Sequence, residues 1–281
     1  MPALIEWATV QGLRMPSIIY GTAWKEARTE ALVAQAVAAG FRGIDTACQP
    51  KHYAEDAVGA GVARALTAGL SRAELYLQSK FTPLASHDPL RVPYDRNAPL
   101  AAQIAQSCAV SLAQLRTDYL DCLILHSPLA TFGATLAAWR ALEARVAAGA
   151  VRILGLSNCY VAADFAALYQ AATIKPAVLQ NRFHARTGYD RELRAFCRAH
   201  GVVYQSFWTL TANPDVLASA TVTRLATAFA CTPAQILLRY LTQIGVVPLT
   251  GTTSAQHMAD DLAMFRIALD RAQCAAMARL F

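Results

Sequence analysis

The sequence predicts an α/β fold, a closed (β/α)8 barrel of the TIM type with an N-terminal β-hairpin and an extra C-terminal helix. Eight short strand-like runs recur along the 281 residues, and most of them are followed by a helical segment. The runs are apolar throughout, as parallel strands are when both faces of the sheet are covered. No Gly-x-Gly-x-x-Gly turn follows the first run, which argues against an open dinucleotide-binding sheet.

The elements follow one another in a regular order, which we read from hydrophobic periodicity and from helix stop signals. A hairpin is predicted over residues 5–15. Strands are predicted over 17–21, 41–45, 75–80, 119–125, 151–156, 177–180, 202–207 and 246–249. Helices are predicted over 27–39, 53–68, 100–115, 134–148, 162–172, 190–200, 232–243, 254–265 and 270–280. No linker divides the chain, so one domain over 1–281 is expected.

Composition excludes several classes of protein. Hydrophobic residues make up 55% of the chain and charged residues 16%, which is typical of a globular protein with a large core. The formal net charge is +6, but the basic residues are scattered and form no stripe for a nucleic acid. A basic surface can still attract a phosphate-bearing cofactor.

The cysteines and the apolar runs bear on location. The seven cysteines are an odd number and form no Cys-x-x-Cys pair, so we expect neither a disulfide framework nor a metal site. No apolar run approaches the roughly 18 residues of a membrane span, and no signal peptide is recognisable. Reduced thiols and the lack of a targeting segment predict a cytoplasmic protein.

Four ionisable side chains fall at or just beyond predicted strand ends, where barrel enzymes place their chemistry. They are Asp45, Tyr53, Lys80 and His126. Free tyrosine has a pKa near ~10, and a lysine cation beside it favours the phenolate. A carboxylate such as Asp45 would keep a buried Lys80 charged, while a histidine can hydrogen-bond the reacting oxygen. The set can therefore protonate a carbonyl oxygen as a hydride reaches the carbon.

The chain resembles the aldo-keto reductase family over nearly its whole length. The matching motifs are Gly21-Thr22, Gly43-Ile-Asp-Thr-Ala47, Tyr53-Ala-Glu55 with Val58-Gly59, Ser79-Lys80, Leu125-His-Ser-Pro128, Gly155-Leu-Ser-Asn158, Leu179-Gln-Asn181 and Val247-Pro-Leu-Thr250. The resemblance implies a catalytic tetrad of Asp45, Tyr53, Lys80 and His126, with Tyr53 as general acid. It also implies direct hydride transfer from NADPH to an aldehyde or ketone.

The resemblance further implies residues that bind cofactor and substrate. Ser157, Asn158 and Gln180 match residues that bind the nicotinamide carboxamide, and Phe207 the aromatic residue that stacks on the ring. The full cofactor set is Gly21, Thr22, Ala23, Asp45, Ser157, Asn158, Gln180, Phe207, Trp208, Leu210, Thr250, Gly251, Thr252, Thr253, His257 and Asp261. Trp24, Phe81 and Leu129 are expected to form an aromatic, largely apolar substrate pocket.

The chain departs from the family pattern at three places. Asp45 and Tyr53 are eight positions apart, a longer interval than usual in the family. His52 directly precedes Tyr53 and could compete with it for the catalytic role. Leu249 and His257 stand where many members have Lys and Arg, and a neutral histidine binds phosphate more weakly than arginine does. The resemblance implies NADPH, and these two residues make use of NADH possible as well. The short segment after the last helix predicts an open pocket, or one closed by the loop over 82–99.

Other functions remain open at this point. A barrel of this kind could bind the cofactor as a regulatory or sensing subunit, although a sensor need not keep all four tetrad residues. The same site could reduce an imine. A hydrolase or isomerase lacks a second carboxylate to pair with Asp45 and leaves Lys80 unexplained. The expected partner is a small carbonyl substrate, without nucleic acid or membrane, and the protein is expected to be a monomer or weak homodimer.

Overall fold

A computed structural model describes residues 5–281 and contains a closed barrel of eight parallel strands. Each barrel strand pairs with the next one along the chain, and the last strand pairs with the first. A helix follows most strands and packs outside the barrel, as parallel connections require. The predicted (β/α)8 fold, with its N-terminal hairpin, is confirmed.

The strands and helices have the following bounds. A hairpin of β1 (Trp7–Val10) and β2 (Leu13–Pro16) precedes the barrel strands β3 (Ile19–Gly21), β4 (Gly43–Asp45), β5 (Tyr76–Phe81), β6 (Leu120–Leu125), β7 (Val151–Ser157), β8 (Val178–Arg182), β9 (Val203–Phe207) and β10 (Val246–Thr250). The helices are α1 (Thr29–Ala39), α2 (Glu55–Thr67), α3 (Leu100–Leu115), α4 (Phe132–Ala147), α5 (Ala162–Ala171), α6 (Arg191–Ala199), α7 (Pro214–Leu217), α8 (Ala220–Ala228), α9 (Pro233–Gln243), α10 (Ala255–Ala263) and α11 (Arg271–Ala278).

The hairpin lies against the barrel interior. Its strands turn at Gln11 and Gly12, which both have positive φ, as a two-residue hairpin loop requires. Val10 and Met15 are buried and belong to the same apolar cluster as inward-facing barrel residues such as Ile19 and Ile124. The hairpin therefore supplies apolar side chains to the inside of the barrel.

A larger apolar cluster fills the space between the barrel and its helices. Side chains alternate along each strand, so residues next to inward-facing ones point into this outer layer. Phe81 and Leu125 are fully buried there, together with Trp139 of α4. This layer fixes the strands, and with them the side chains at the C-terminal rim of the barrel.

Two details differ from the prediction. Tyr53 lies before α2, which begins at Glu55, because the backbone of residues 49–53 turns on Gln49: the N–H groups of His52 and Tyr53 both donate to its carbonyl. The segment before α9 contains α7 and α8, which were not predicted. Pro214 and the Ser219 cap start these helices. One domain over 1–281 stays a prediction.

Candidate active site

Asp45 and Lys80 form a buried ion pair at the ends of β4 and β5. The Lys80 ammonium donates to both carboxylate oxygens of Asp45, at 2.6 and 2.7 Å, and to the carbonyl of Thr46 at 2.8 Å. Burial disfavours the cation, but the Asp45 carboxylate and Tyr53 outweigh burial and raise the pKa of Lys80. Lys80 is 1% exposed, so its charge is retained in a dry site because all three protons have acceptors.

Tyr53 packs against this pair. The Lys80 ammonium lies 5.2 Å from the centre of the Tyr53 ring, and the His126 ring centre lies 6.2 Å from it. Burial raises the pKa of Tyr53; the Lys80 cation opposes this, while the Asp45 carboxylate adds to it. Lys80 thus acts in the expected direction, but the net pKa is raised rather than lowered. The phenol is protonated at neutral pH and is available as a proton donor.

His126 follows β6 and faces the same cavity. Its backbone N–H donates to the backbone carbonyl of Phe81 at 2.9 Å. Its own backbone carbonyl accepts a hydrogen bond from the side-chain amide of Asn158 at 2.9 Å. Its Nδ1 lies 2.7 Å from the Thr82 hydroxyl. Burial and the nearby Lys80 cation hold the pKa of His126 well below its usual value, so the ring is neutral. A neutral ring can donate one hydrogen bond without repelling Lys80.

His52 occupies a different place from Tyr53. Its ring packs against the Trp24 indole with ring centres 3.9 Å apart. Its backbone carbonyl accepts the backbone N–H of Trp24 at 2.8 Å. Trp24 is 60% exposed, which places this pair at the mouth of the cavity. The loop after Asp45 therefore brings Tyr53, and not His52, against Lys80.

Three buried glutamines lie beside Asp45 inside the barrel. The amide nitrogens of Gln78 and Gln180 donate to the same Asp45 oxygen, at 2.7 and 3.0 Å, and both also donate to the Gln205 carbonyl oxygen at 2.9 Å. The Gln205 amide nitrogen donates back to Gln78 at 3.0 Å. We call Gln78, Gln180 and Gln205 the glutamine layer. It holds the Asp45 carboxylate in place from inside the barrel.

A cavity of about 850 Å³ opens above these residues. The predicted residues that line it are Gly21, Ala23, Trp24, Asp45, Tyr53, His126, Ser157, Asn158, Gln180, Phe207, Trp208, Leu210, Thr250, Gly251, Thr252, His257 and Asp261. The cavity is long enough to pass from the tetrad to the start of α10. Its lining includes the amide of Gln180 and the aromatic ring of Phe207, two groups suited to a flat, polar ring such as nicotinamide.

Several predicted residues lie outside the cavity lining. Phe81 was expected in the substrate pocket, but β5 includes it and its side chain points into the outer layer, where it packs against Tyr94 at 5.6 Å. Leu129 packs partly buried against the core. Thr22 is fully buried and donates to the Asp45 carbonyl at 2.9 Å, so it supports the site from behind. Thr253 is exposed outside the lining.

The outer end of the cavity contains two acidic side chains. Asp261 is buried and accepts the Thr250 hydroxyl at 2.7 Å; burial raises the pKa of Asp261 to about 6, against the effect of that hydrogen bond. Asp260 lies next to it. The cation at this end is Lys25, which donates to the carbonyl of Gly251. Burial lowers the pKa of Lys25, and Arg28 lowers it further.

Some cavity residues were not predicted. Lys25, Gln49, Thr82 and Arg182 all line the cavity. The Arg182 guanidinium lies 4.1 Å from the centre of the Trp208 ring. Thr82 and Arg182 each come directly after or at the end of a barrel strand, so a strand end placed one or two residues later would have identified both.

Comparisons with known proteins agree with this architecture. A model of the aldo/keto reductase family matches residues 17–280. The NAD(P)H-dependent D-xylose reductase of Candida tenuis is 32% identical, with 84% of this chain and 80% of that protein covered. An aldo-keto reductase of Mycolicibacterium vanbaalenii is 31% identical, with 90% and 83% covered.

Solved structures of the same family superpose closely on the chain. An aldo-keto reductase of Bombyx mori in complex with NADP has a TM-score of 0.82 at 25% identity, covering 99% of this chain and 93% of that one. An aldo/keto reductase from Brucella melitensis shares the fold with a TM-score of 0.82 at 24% identity, covering 99% and 100%. On the family match, the identities with curated relatives and the shared barrel, this chain belongs to the aldo-keto reductase family.

Proposed function

We propose that the protein reduces an aldehyde, a ketone or a related carbonyl compound to an alcohol, with Tyr53 as general acid. The observation that carries this proposal is the position of Tyr53, which lies against the Asp45–Lys80 ion pair and faces His126. When bound, the reduced nicotinamide cofactor supplies a hydride to the carbonyl carbon. Tyr53 and His126 then stabilise the negative charge that develops on the carbonyl oxygen, by proton donation and by a hydrogen bond.

Each tetrad residue has a distinct task in this proposal. Tyr53 gives its phenolic proton to the carbonyl oxygen. Lys80 stabilises the phenolate that remains, and Asp45 keeps Lys80 charged in a buried site. His126 is neutral and can hold the carbonyl oxygen by one hydrogen bond. The proton leaves with the alcohol, and the negative charge stays on Tyr53 beside Lys80 until the phenolate takes up a proton from the solvent.

We propose NADPH as the preferred cofactor, with NADH also accepted. Helix α10 begins at the outer end of the cavity, where Ser254 caps it, and a helix N-terminus favours a phosphate group. Lys25 adds a cation at this end. Asp260 and Asp261 act in the opposite sense, since a carboxylate repels a phosphate but can accept a bond from a ribose hydroxyl. Discrimination between the two cofactors is therefore expected to be modest.

We expect aromatic or largely apolar carbonyl compounds as substrates. Trp24 and Trp208 both line the cavity, and they are 60% and 52% exposed. Such aromatic surfaces favour flat, apolar groups. An imine fits the same arrangement of hydride and proton donors, so imine reduction is the second candidate.

No helix among residues 5–281 has the length and hydropathy to cross a membrane. The cysteines in this part of the chain are free thiols, and on that ground we propose a cytoplasmic protein. We propose that it is a monomer or a weak dimer.

The proposal is tested by following the absorbance of NADPH and of NADH with a panel of substrates. The panel contains aromatic aldehydes, aliphatic aldehydes, ketones, an imine and an aldose, since one relative is a D-xylose reductase. Turnover of a carbonyl supports the proposal. Tight cofactor binding without turnover of any panel member contradicts it and favours a sensing role.

The cofactor preference is tested by two substitutions at the outer end. Asp261→Ser removes a carboxylate, and His257→Arg adds a cation that can bind phosphate with two hydrogen bonds. Both changes should raise kcat/KM for NADPH relative to NADH, each by roughly tenfold, the effect of one charge-assisted hydrogen bond. An unchanged ratio in both variants would mean that the cofactor phosphate lies elsewhere.

A further inference from the structure

We infer that Thr82 is a positioning residue that fixes the tautomer of His126, so that Nδ1 accepts a hydrogen bond and Nε2 carries the ring proton. The inference deepens the proposed function and rests on it for its kinetic consequence. Thr82 was not among the predicted site residues, and the family motifs found in this sequence do not include it.

Thr82 and His126 lie side by side because of the strand register. Phe81 of β5 is paired with Leu125 of β6, and each is followed by one of the two residues. The Thr82 Oγ1 and the His126 Nδ1 are 2.7 Å apart, a distance typical of a hydrogen bond that a hydroxyl donates. Both side chains line the cavity.

The direction of this hydrogen bond follows from the number of partners available. A hydroxyl has one proton to donate, and a neutral imidazole has one N–H and one acceptor nitrogen. Thr82 is 1% exposed, and among residues 5–281 His126 is the hydrogen-bond partner of its hydroxyl. If Nδ1 carried the proton, the buried hydroxyl proton would have no acceptor, which is costly. Donation from Thr82 to Nδ1 satisfies both groups and puts the ring proton on Nε2.

The backbone of Thr82 is held in place from the other side. Its carbonyl accepts the Tyr94 hydroxyl at 2.8 Å and lies 3.0 Å from the His87 Nε2. His126 is held in turn by Asn158, which donates to its carbonyl. Neither residue can move away without breaking these contacts, so the hydroxyl stays aimed at Nδ1.

The consequence concerns the carbonyl oxygen of the substrate. In the proposed reaction this oxygen receives the Tyr53 proton while His126 holds it by a hydrogen bond. Since Nδ1 is engaged by Thr82, Nε2 is the ring nitrogen free for the oxygen, and it must be the one with the proton. The other tautomer would present a lone pair to the oxygen and repel it.

The test compares Thr82→Val, which has the same shape without the hydroxyl, with Thr82→Ser, which keeps the hydroxyl. The tautomer is read from ¹⁵N NMR of protein labelled at histidine, with His126→Gln used to assign the His126 signals. Wild type and Thr82→Ser should show the Nε2–H form, and Thr82→Val a mixture of both forms. In Thr82→Val, kcat should fall roughly tenfold, the value of one hydrogen bond, while the Kd for NADPH stays within about twofold.

The control is Thr29→Val. Thr29 is the first residue of α1 and lies outside the cavity lining, and its buried hydroxyl donates to the backbone carbonyl of Glu26. This substitution should change neither the tautomer nor kcat. An Nδ1–H form in the wild-type protein would overturn the inference, whether or not the variants fold. So would a Thr82→Val protein with wild-type tautomer and kcat. A wild-type protein that reduces no carbonyl would refute the proposed function, and the tautomer would still decide the role of Thr82.

Discussion

At the residue scale, Tyr53 is governed by three opposing influences. Burial and the Asp45 carboxylate raise its pKa, and the Lys80 cation lowers it, with burial the largest. A group that donates a proton is best kept protonated until the hydride arrives, and this balance achieves that at neutral pH. In the proposed reaction, Lys80 matters most after the proton has left Tyr53, when the cation faces a phenolate.

This balance predicts different pH profiles for the two directions of the reaction. In the proposed mechanism reduction needs the Tyr53 phenol, whose pKa lies above its ordinary value near ~10, so kcat/KM for reduction should stay flat from about pH 6 to 9. Oxidation of the alcohol needs the phenolate and should rise with pH across the same range. His126 adds no step, because its pKa lies well below 6.5. A fall in reduction with a midpoint near 7 would contradict this assignment.

The site residues differed in how far the sequence could identify them. Asp45, Lys80 and His126 stand at strand ends, so barrel geometry alone marks them. Phe81 was misplaced because β5 ends one residue later than expected, at Phe81: Lys80 faces inward, Phe81 therefore faces outward, and Thr82 takes the rim position. Hydrogen bonds between distant strands, such as those within the glutamine layer, leave no pattern in a single sequence.

At the element scale, α2 is anchored beneath the site by a buried carboxyl group. Glu55, its first residue, accepts the hydroxyls of Ser79 on β5 and Ser111 on α3. Burial raises the pKa of Glu55 to about 7, although these hydroxyls and the Lys80 cation lower it. The helix that follows Tyr53 is thus tied to the strand that carries Lys80.

The raised pKa of Glu55 predicts a pH dependence of stability. The folded-state pKa exceeds the unfolded value of 4.5, so this contribution is complete below about pH 4.5 and is lost as the pH rises through about 7. The loss amounts to as much as about 3 kcal/mol, from roughly 1.4 kcal/mol per pKa unit. Glu55→Gln should remove this pH dependence of the free energy of unfolding, measured by urea unfolding between pH 5 and 8. The prediction fails if wild type and variant lose stability in parallel.

Most elements could be predicted because strands and helices alternate with clear periods and glycine stops. The loop from Cys48 to His52 could not, since its shape depends on one carbonyl, that of Gln49, accepting two backbone N–H groups. Helices α7 and α8 were missed for a related reason. α7 has four residues and buries only Val216, while α8 buries Val222, Leu225 and Ala226 in a nine-residue sequence made mostly of Ala and Thr.

At the scale of the whole molecule, an aromatic cluster joins the end of the chain to the barrel. Phe281 is 6% exposed and packs against Phe183 at 5.3 Å, Tyr189 at 4.9 Å and Tyr240 at 5.5 Å between ring centres. Arg191 also donates to its backbone carbonyl. These contacts connect α9 to the segment that follows β8, next to the cavity.

The cluster predicts a stability effect far from the tetrad. Phe281→Ala should lower the free energy of unfolding by about 3 kcal/mol, the usual cost of removing a buried phenylalanine ring. Leu90→Ala is the matched control, since Leu90 is 93% exposed and should change stability by less than about 0.5 kcal/mol. Equal unfolding midpoints in urea for the two variants would show that the cluster contributes nothing.

We propose that Tyr53, and not its neighbour His52, donates the proton. The direct measurement is single-turnover reduction of an aldehyde by Tyr53→Phe and by His52→Gln, each saturated with NADPH, with the cofactor Kd measured alongside. Tyr53→Phe should lose at least about 10³ in rate with a nearly unchanged Kd, while His52→Gln should lose less than about tenfold. A Tyr53→Phe protein with wild-type rate, or an inactive His52→Gln protein with intact cofactor binding, would contradict the account.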